Sequence, residues 1–315
     1  MNPNAMAIAI LCSHLCPPSD AAPLEPREWT ALAEKLLTEK IQPSELLTLD
    51  RQTMSDRLGI MGTDADRIFR LADRCGSLSF ELSRLESMGI FLITRADSTY
   101  PAPLKKKLGK QCPPLFYAAG DLCLLQTNTI GYVGSRSISP DDAVFTKNTV
   151  QKTIERGYGV VSGGAKGCDS IAEEEALSAG GHAIAYLSDS MMRKLKQPQA
   201  IHGIQQGKLL VLSAAKPDAG FHAGIAMMRN KYIYAQSSAT IVIKSDLKKG
   251  GTWTGAVENL KHQWTPLLCR NQKEYSGNQS LIQQGAIPID ENWDGNIQTL
   301  RAEQKSEDFE QIRIF

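Results

Sequence analysis

The chain has 315 residues, 42% of them hydrophobic and 22% charged, a composition typical of soluble globular proteins with one large or two ordinary domains. No apolar run approaches the roughly 18 residues of a membrane span, so we expect no membrane association. The net charge of +1 is uneven, being −1 over residues 1–127, +5 over 128–290 and −3 over 291–315. A modestly basic middle permits a nucleic-acid surface but does not require one.

Residues 1–88 are predicted to form a small helical domain. Apolar residues lie on one face in 28–37, Pro43 begins another helix, and further helices are predicted over 64–74 and 77–87. The apolar stretch 6–15 is short and no basic residue precedes it, so it makes a poor signal peptide. The lysine run 105–107 after this domain is predicted to be a solvated face, with a nucleic-acid contact as the alternative.

From residue 89 onward, short apolar strands alternate with helical segments. Strands are predicted over 89–94, 130–133, 159–161, 182–187, 209–212, 239–243 and 266–269, and helices over 141–156, 168–179, 198–206, 222–236 and 250–261. In the helix over 141–156, Val144, Val150 and Ile154 have helical spacing. This alternation predicts an α/β class with a doubly wound, mostly parallel, Rossmann-like sheet over 89–290. A short acidic tail is expected over 291–315.

Two small-residue turns follow the strands over 130–133 and 159–161. The first is Gly134-Ser135-Arg136, and the second is Ser162-Gly163-Gly164-Ala165-Lys166-Gly167-Cys168-Asp169. The carboxyl ends of parallel strands are where open α/β sheets bind ligands. Backbone amides, helix N-termini and one cation in each turn, Arg136 or Lys166, therefore predict a phosphate-binding platform. The alternative is that the glycines only turn the chain.

A third turn, Gly250-Gly251-Thr252, follows the strand over 239–243, and Thr252 is predicted to be the N-cap of the next helix. The segment Arg229-Asn230-Lys231 lies within a predicted helix. Because its two cations are two residues apart, only one is expected to reach the binding edge. The candidates for stacking on nucleobases are Tyr132, Phe221, Tyr232 and Trp253, each with a core position as the alternative.

No constellation of residues indicates catalysis or metal binding. The seven cysteines and five histidines have no metal-ligand spacing, and the odd cysteine count predicts reduced thiols in a cytoplasm. Ser135 and Ser162 have no base nearby in the sequence. We therefore expect no catalytic residues, no metal and no cofactor.

These motifs, taken in order, resemble those of the DNA-processing protein A (Smf) family. Its usual forms are Gly-Ser-Arg, Ser-Gly-x-Ala-Arg-Gly-Ile-Asp, Arg-Asn-Arg and Ser-Gly-Ser/Thr, and its closing motif matches Leu281-Ile282 with Gly285-Ala286. The resemblance covers about residues 89–290. It implies a helical N-terminal domain, binding of single-stranded DNA, a homodimer, and loading of a recombinase onto incoming DNA. It also implies that the three turns and Arg229-Asn230-Lys231 bind the strand, without catalysis.

Several departures from the family pattern leave two alternative functions open. Glu173 stands where the family commonly has His, Cys168 replaces Ile, Gly255 stands where Thr is usual, and we expect no winged-helix domain. Relatives in the wider superfamily act as nucleotide-sensing modules of phage-defence operons, for instance as the antitoxin of a toxic enzyme, so a nucleotide ligand and a toxin partner are one alternative. Nucleotide phosphoribohydrolases are the other, although Glu258 lies six residues after the Thr instead of three.

Overall fold

The computed structural model describes residues 1–16 and 21–298, which form two compact units. The first unit comprises Met1–Ala119 with Asp189–Met192 and Leu212–Gly220, and the second comprises the remaining residues. The predicted boundary after residue 88 stays a prediction. Of the predicted tail, residues 299–315 lie outside the described part of the chain.

The first unit is mainly helical. Its elements are α1 (Pro3–Cys12), α2 (Pro26–Thr38), α3 (Pro43–Leu46), α4 (Arg51–Leu58), α5 (Gly62–Ala72), α6 (Cys75–Glu86), β1 (Phe91–Thr94), α7 (Ala102–Leu108) and β2 (Leu115–Gly120). Seven of the ten residues of α1 are buried, which explains why its sequence is apolar on every side. The buried guanidinium of Arg74 donates to the carbonyl of Ile10, which lies within α1. Strands β1 and β2 pair in antiparallel orientation.

The rest of the chain alternates between strand and helix. Its elements are β3 (Thr129–Val133), α8 (Pro140–Glu155), β4 (Gly159–Ser162), α9 (Cys168–Ser178), β5 (Ala183–Leu187), α10 (Met191–Lys194), α11 (Pro198–Gln205), β6 (Leu209–Ser213), α12 (Ala223–Gln236), β7 (Ala239–Val242), α13 (Gly250–His262), β8 (Leu267–Arg270), α14 (Ser276–Gln283) and β9 (Ile287–Ile289). The strands of the second unit follow the order β6-β5-β4-β3-β7-β8-β9. The predicted α/β fold with a mostly parallel sheet is confirmed.

The order of these strands defines where a ligand site belongs. Strand β3 pairs in parallel with β4 on one side and with β7 on the other. The chain therefore leaves β3 toward β4 in one direction along the sheet and returns to β7 on the opposite side. At such a reversal of strand order, the loops at the carboxyl ends separate and leave a crevice. The first and third predicted turns follow these two strands.

Helix α8 shows one departure from the predicted pattern. Val144 is exposed, and the neighbouring Phe145 is buried in its place, together with Val150. The buried positions of α8 include 142, 145, 146, 149, 150 and 153, which follow the helical spacing of three and four, and Val144 lies off that face. The helix is present as predicted, and Val144 lies outside its buried face.

Candidate functional site

A cavity of about 600 Å³ lies at the carboxyl ends of β3 and β7. We call it the main cavity. Its wall is built from the turn after β3, Ala165 and Asp169 of the second turn, α12, and the segment from Lys244 to Thr254. The predicted site residues on this wall are Gly134, Ser135, Arg136, Asp169, Arg229, Asn230, Gly250, Gly251 and Thr252. A volume of this size is in the usual range for small-ligand sites.

The turn after β3 presents a cation to the main cavity. Ser135 is fixed by its backbone amide, which donates to the carbonyl oxygen of Lys244 at 3.0 Å. Arg136 is exposed, and its guanidinium carbon lies 5.1 Å from the centre of the Phe221 ring. The two residues form a cation–π pair, whose members both line the cavity.

The aspartates near Arg136 in the sequence have other partners. Arg270 donates to Asp142 at 2.7 Å and also pairs with Asp141, while Arg229 pairs with Asp169. Asp142 also caps α8, because its carboxylate accepts from the backbone amide of Ser139. These carboxylates are therefore engaged elsewhere, which leaves the guanidinium of Arg136 facing solvent.

The glycines of the second turn serve close packing. A Cβ atom on Gly163 would lie 1.3 Å from Nη1 of Arg229, so only glycine leaves room for that guanidinium. Gly167 has a φ of +86°, and a Cβ there would lie 2.6 Å from the carbonyl oxygen of Ser135. On the other side, a Cβ on Gly134 would lie 2.7 Å from Cβ of Cys168. The first two turns are therefore in direct contact, and their glycines permit that contact.

Asp169 occupies the N-terminal end of α9, where the sequence predicts a bound anion. Its Oδ2 atom accepts from the backbone amide of Gly163 at 3.1 Å and lies 3.4 Å from Nη1 of Arg229. Burial raises the pKa of the Asp169 carboxyl, and the positive charge of Arg229 opposes that rise. An internal carboxylate thus already takes up the positive end of the helix dipole.

Apart from Asp169 and Ala165, the residues of the second turn lie outside the wall of the main cavity. Ser162 is buried, and its hydroxyl accepts from the backbone amide of Gly164 at 3.4 Å. Lys166 is exposed to solvent. The site residues that the structure does not bring to this cavity are Ser162, Gly163, Gly164, Lys166, Gly167 and Lys231.

The third turn differs from the prediction at its N-cap. Helix α13 begins at Gly250, whose φ of +77° allows the chain to turn there, and the N-cap is Lys249. Thr252 is therefore inside the first turn, and the prediction that it is the N-cap was wrong. The Lys249 side chain makes no capping hydrogen bond. The start of α13 lines the main cavity and, unlike the start of α9 with Asp169, has no acidic residue in its first turn.

Two further lysines on this wall were missed by sequence reasoning. Lys249 is exposed, and Lys244 is partly buried with its ammonium 3.8 Å from Oδ2 of Asp142 and 5.1 Å from the centre of the Tyr275 ring. Lys244 lies two residues after the end of β7, and Lys249 lies just before α13. The rule that selected Arg136, a cation just after a buried strand, would also have selected Lys244.

A second cavity of about 610 Å³ lies between α12 and α13, and we call it the side cavity. Lys231 faces this cavity, with its ammonium 2.7 Å from the carboxylate of Glu258. Arg229 and Lys231 therefore point to different sides of α12, as their spacing predicts. Asn230 lies between them, and its Nδ2 donates to the carbonyl oxygen of Gly251 at 3.1 Å.

The four aromatic candidates divide into two pairs. Tyr132 and Tyr232 are buried, and the Tyr132 hydroxyl forms a hydrogen bond of 3.1 Å with the Thr153 hydroxyl. Both are therefore core residues and do not stack on nucleobases. Phe221 is 57% exposed and lines the main cavity. Trp253 is partly exposed and lines the side cavity.

Among the described residues, no cluster of His, Cys, Asp or Glu has the arrangement of a metal site. Within the same part of the chain, no helix has the length and apolar character needed to span a membrane.

Comparison with known proteins identifies the family. Residues 91–299 match the family of DNA recombination-mediator protein A, which is about two thirds of the chain. The chain belongs to this family. Two DNA processing proteins of the family, both named DprA, are similar in sequence. The one from Streptococcus pneumoniae is 29% identical over 60% of this chain and 64% of its own length, and the one from Bacillus subtilis is 26% identical over 66% and 71%.

Two solved structures of DNA recombination-mediator proteins are also similar. The X-ray structure of DNA processing protein A from S. pneumoniae has a TM-score of 0.64 at 22% identity, covering 84% of this chain and 95% of that one. A structure of the Helicobacter pylori protein, described by its single-stranded DNA binding mode, has a TM-score of 0.54 at 27% identity. It covers 69% of this chain and 96% of its own.

The departures of this chain from the DNA recombination-mediator motifs have structural explanations. Glu173 is buried and forms an ion pair with Lys194 at the end of α10. Burial raises the pKa of the Glu173 carboxyl, and Lys194 opposes the rise. Gly255 packs beneath the buried ring of Tyr234, because a Cβ there would lie 3.0 Å from Cε2 of that ring. Glu173 and Gly255 therefore each have a matching neighbour.

Proposed function

We propose that this chain binds single-stranded DNA in the main cavity and acts in DNA processing and recombination. Its family membership supports this proposal, as does its likeness to the H. pylori protein. The observation that carries it is the position of Arg136, which is exposed beside Phe221 on the wall of that cavity. An exposed cation beside an exposed ring suits a strand that alternates phosphates and bases.

The charges on the main cavity favour a polyanion. Four cations line it, Arg136, Arg229, Lys244 and Lys249, against the two carboxylates of Asp169 and Asp246. Since Arg229 pairs with Asp169 and Lys244 lies beside Asp142, the cations open to a ligand are Arg136 and Lys249. The excess of positive charge attracts the phosphates of a DNA strand.

The three turns have different tasks in this proposal. Phosphates bind at Arg136 and at the N-terminal amides of α13, where no side chain caps the helix. The ion pair of Asp169 and Arg229 joins the second turn to α12. Lys166, which is exposed but not on the wall, contributes only long-range attraction.

Fluorescence anisotropy with a single-stranded oligonucleotide of ~20 residues tests this function. Affinity should exceed that for a duplex of the same length, and log affinity should fall with log salt at a slope of about −0.7 per neutralised phosphate. Absence of binding at low salt would reject the proposal.

The homodimer, the recombinase partner and the cytoplasmic location are also proposals, drawn from the family. Sedimentation equilibrium would reject the dimer if the chain stayed monomeric at micromolar concentration. Nucleotide hydrolysis has little support, because Glu258 is paired with Lys231 on the side cavity. Incubation with nucleoside monophosphates should release no free base, and release abolished by Glu258→Ala would contradict this.

A further inference from the structure

The side cavity is as large as the main cavity, and the proposed function does not use it. Its wall on α12 is formed by Gly224, Met227, Met228 and Lys231, which share one face of the helix at spacings of three and four. On α13 the wall includes Trp253, Glu258 and Lys261. The result is a groove between two helices with an apolar floor and charged margins.

The two cavities are adjacent. Met227, Asn230, Gly251 and Thr254 line both of them. The ridge between them is formed by Asn230 and Gly251, because the Asn230 side chain donates a hydrogen bond to the carbonyl oxygen of Gly251. Gly250 and Gly251 are both exposed and carry no side chain, so the ridge is low where α13 begins. A chain molecule in the main cavity can cross the ridge at these two glycines.

The chemistry of the side cavity suits a nucleotide. Trp253 supplies a flat, partly exposed ring, whereas Trp29, Trp264 and Trp293 are buried. Lys261 is exposed, and the single carboxylate on the wall, Glu258, is neutralised by Lys231. Proteins that bind single strands combine an aromatic platform with cations along a groove in this way.

We infer that the DNA strand held in the main cavity continues over the Asn230–Gly251 ridge and stacks a base on Trp253 in the side cavity. This inference rests on the proposed function and extends its footprint beyond the main cavity. The occupant is the next part of the same strand, and Lys261 contacts its phosphate. A short oligonucleotide fills the main cavity alone, whereas a longer one reaches both.

The test compares the wild type with Trp253→Ala and Trp253→Phe, using oligo-dT of about 4 and about 16 residues. Trp253→Ala should weaken binding of the longer strand about five-fold or more, the usual effect of losing one stacked base, and leave the shorter strand within about two-fold. Trp253→Phe should restore most of the affinity, because a phenyl ring still stacks. The longer strand should also quench the tryptophan fluorescence of the wild type, and Trp253→Phe should remove that quenching.

Controls separate this inference from the function on which it rests. Phe80→Ala, which removes an exposed ring on α6, and Lys147→Ala, which removes an exposed cation on α8, should leave both affinities unchanged. Thermal melts check that each variant is folded. Tight, salt-dependent binding with neither quenching nor sensitivity to Trp253 would overturn the inference and keep the function. Absence of binding by the wild type would overturn both.

Discussion

The first and second turns look alike in the sequence but differ in the folded chain. Each is a small-residue turn after a buried parallel strand, and each carries one cation. In the first turn, Arg136 faces the main cavity beside Phe221. In the second, the glycines accommodate Arg229 and the backbone of the first turn, and Lys166 lies away from the wall. Turns of similar composition can thus differ in whether their cation faces the cavity.

The second and third turns differ in the carboxylate at the start of the helix that follows them. Asp169 fills the N-terminus of α9 and pairs with Arg229, so an anionic ligand there would meet a negative charge. Helix α13 has no capping side chain and lines the main cavity. The comparison gives the second turn an effect on stability and the first an effect on affinity. The following experiments test that separation.

The largest effect is expected for Gly163→Ala. The new methyl would lie 1.3 Å from Nη1 of Arg229, so the guanidinium must move and leave Asp169 as an unpaired buried charge. Breaking such a pair should lower the free energy of unfolding by about 3 kcal/mol or more, measured by urea denaturation. The matched control is Gly76→Ala on α6, where no atom lies within 4 Å, and it should change stability by less than about 1 kcal/mol.

Arg136→Ala should weaken DNA binding and leave the stability of the fold unchanged. Loss of a charged contact to phosphate, worth about 1.5–3 kcal/mol, should weaken single-strand binding about ten-fold or more. The free energy of unfolding should stay within about 0.5 kcal/mol of the wild type, since the side chain is exposed. Arg136→Lys should restore affinity only in part, because an ammonium cannot form a two-pronged contact.

Lys166→Ala is the comparison variant for that experiment. An exposed lysine off the cavity wall should contribute about two- to five-fold through long-range attraction. Equal losses for Arg136→Ala and Lys166→Ala would show that the second turn also binds the strand. That outcome would remove the distinction between the two turns.

Acidification should produce the smallest change in stability. It acts through His182, which lies at the amino ends of β4 and β5. His182 packs on Gly159 and its Nε2 lies 2.7 Å from the Thr127 hydroxyl, and burial lowers its pKa below the ordinary 6.5. The unfolded chain therefore binds a proton first as pH falls, so stability is lost below about pH 6.5. Thermal melts of His182→Gln should depend less on pH across this range. Binding through Arg136 should not follow the same curve, because a guanidinium stays charged.

The sequence predicted the central sheet well because its strands are buried on both faces. Strands such as β4 and β7 are short apolar runs that end at small-residue turns, and that pattern is specific. Strands β2 and β9 and helix α14 were not predicted. Strand β9 contains Pro288, which is unusual inside a strand and fits the edge position of β9. The composition of α14 is mostly polar, so it carries a weak helical pattern.

The candidate site was predicted only in part, for a physical reason. The positions of Arg136 and of Gly250-Gly251 follow from strand ends, which local sequence reveals. The requirement for glycine at position 163 comes from Arg229, which lies 66 residues later in the chain. No local pattern reports such a pairing. The side cavity depends in the same way on the approach of two helices, although Trp253 itself was a candidate.

The pair of Glu173 and Lys194 limits how this protein can change over evolution. Both side chains are nearly inaccessible to solvent, and each neutralises the other. Replacing Glu173 by a neutral residue would leave the ammonium of Lys194 without its counter-ion, and replacing Lys194 would do the same to the carboxylate of Glu173. Either change should lower the free energy of unfolding by about 3–5 kcal/mol. Most single domains have only about 5–15 kcal/mol of stability to lose. A change from glutamate to histidine at position 173 therefore requires an accompanying change at 194 to avoid this loss of stability.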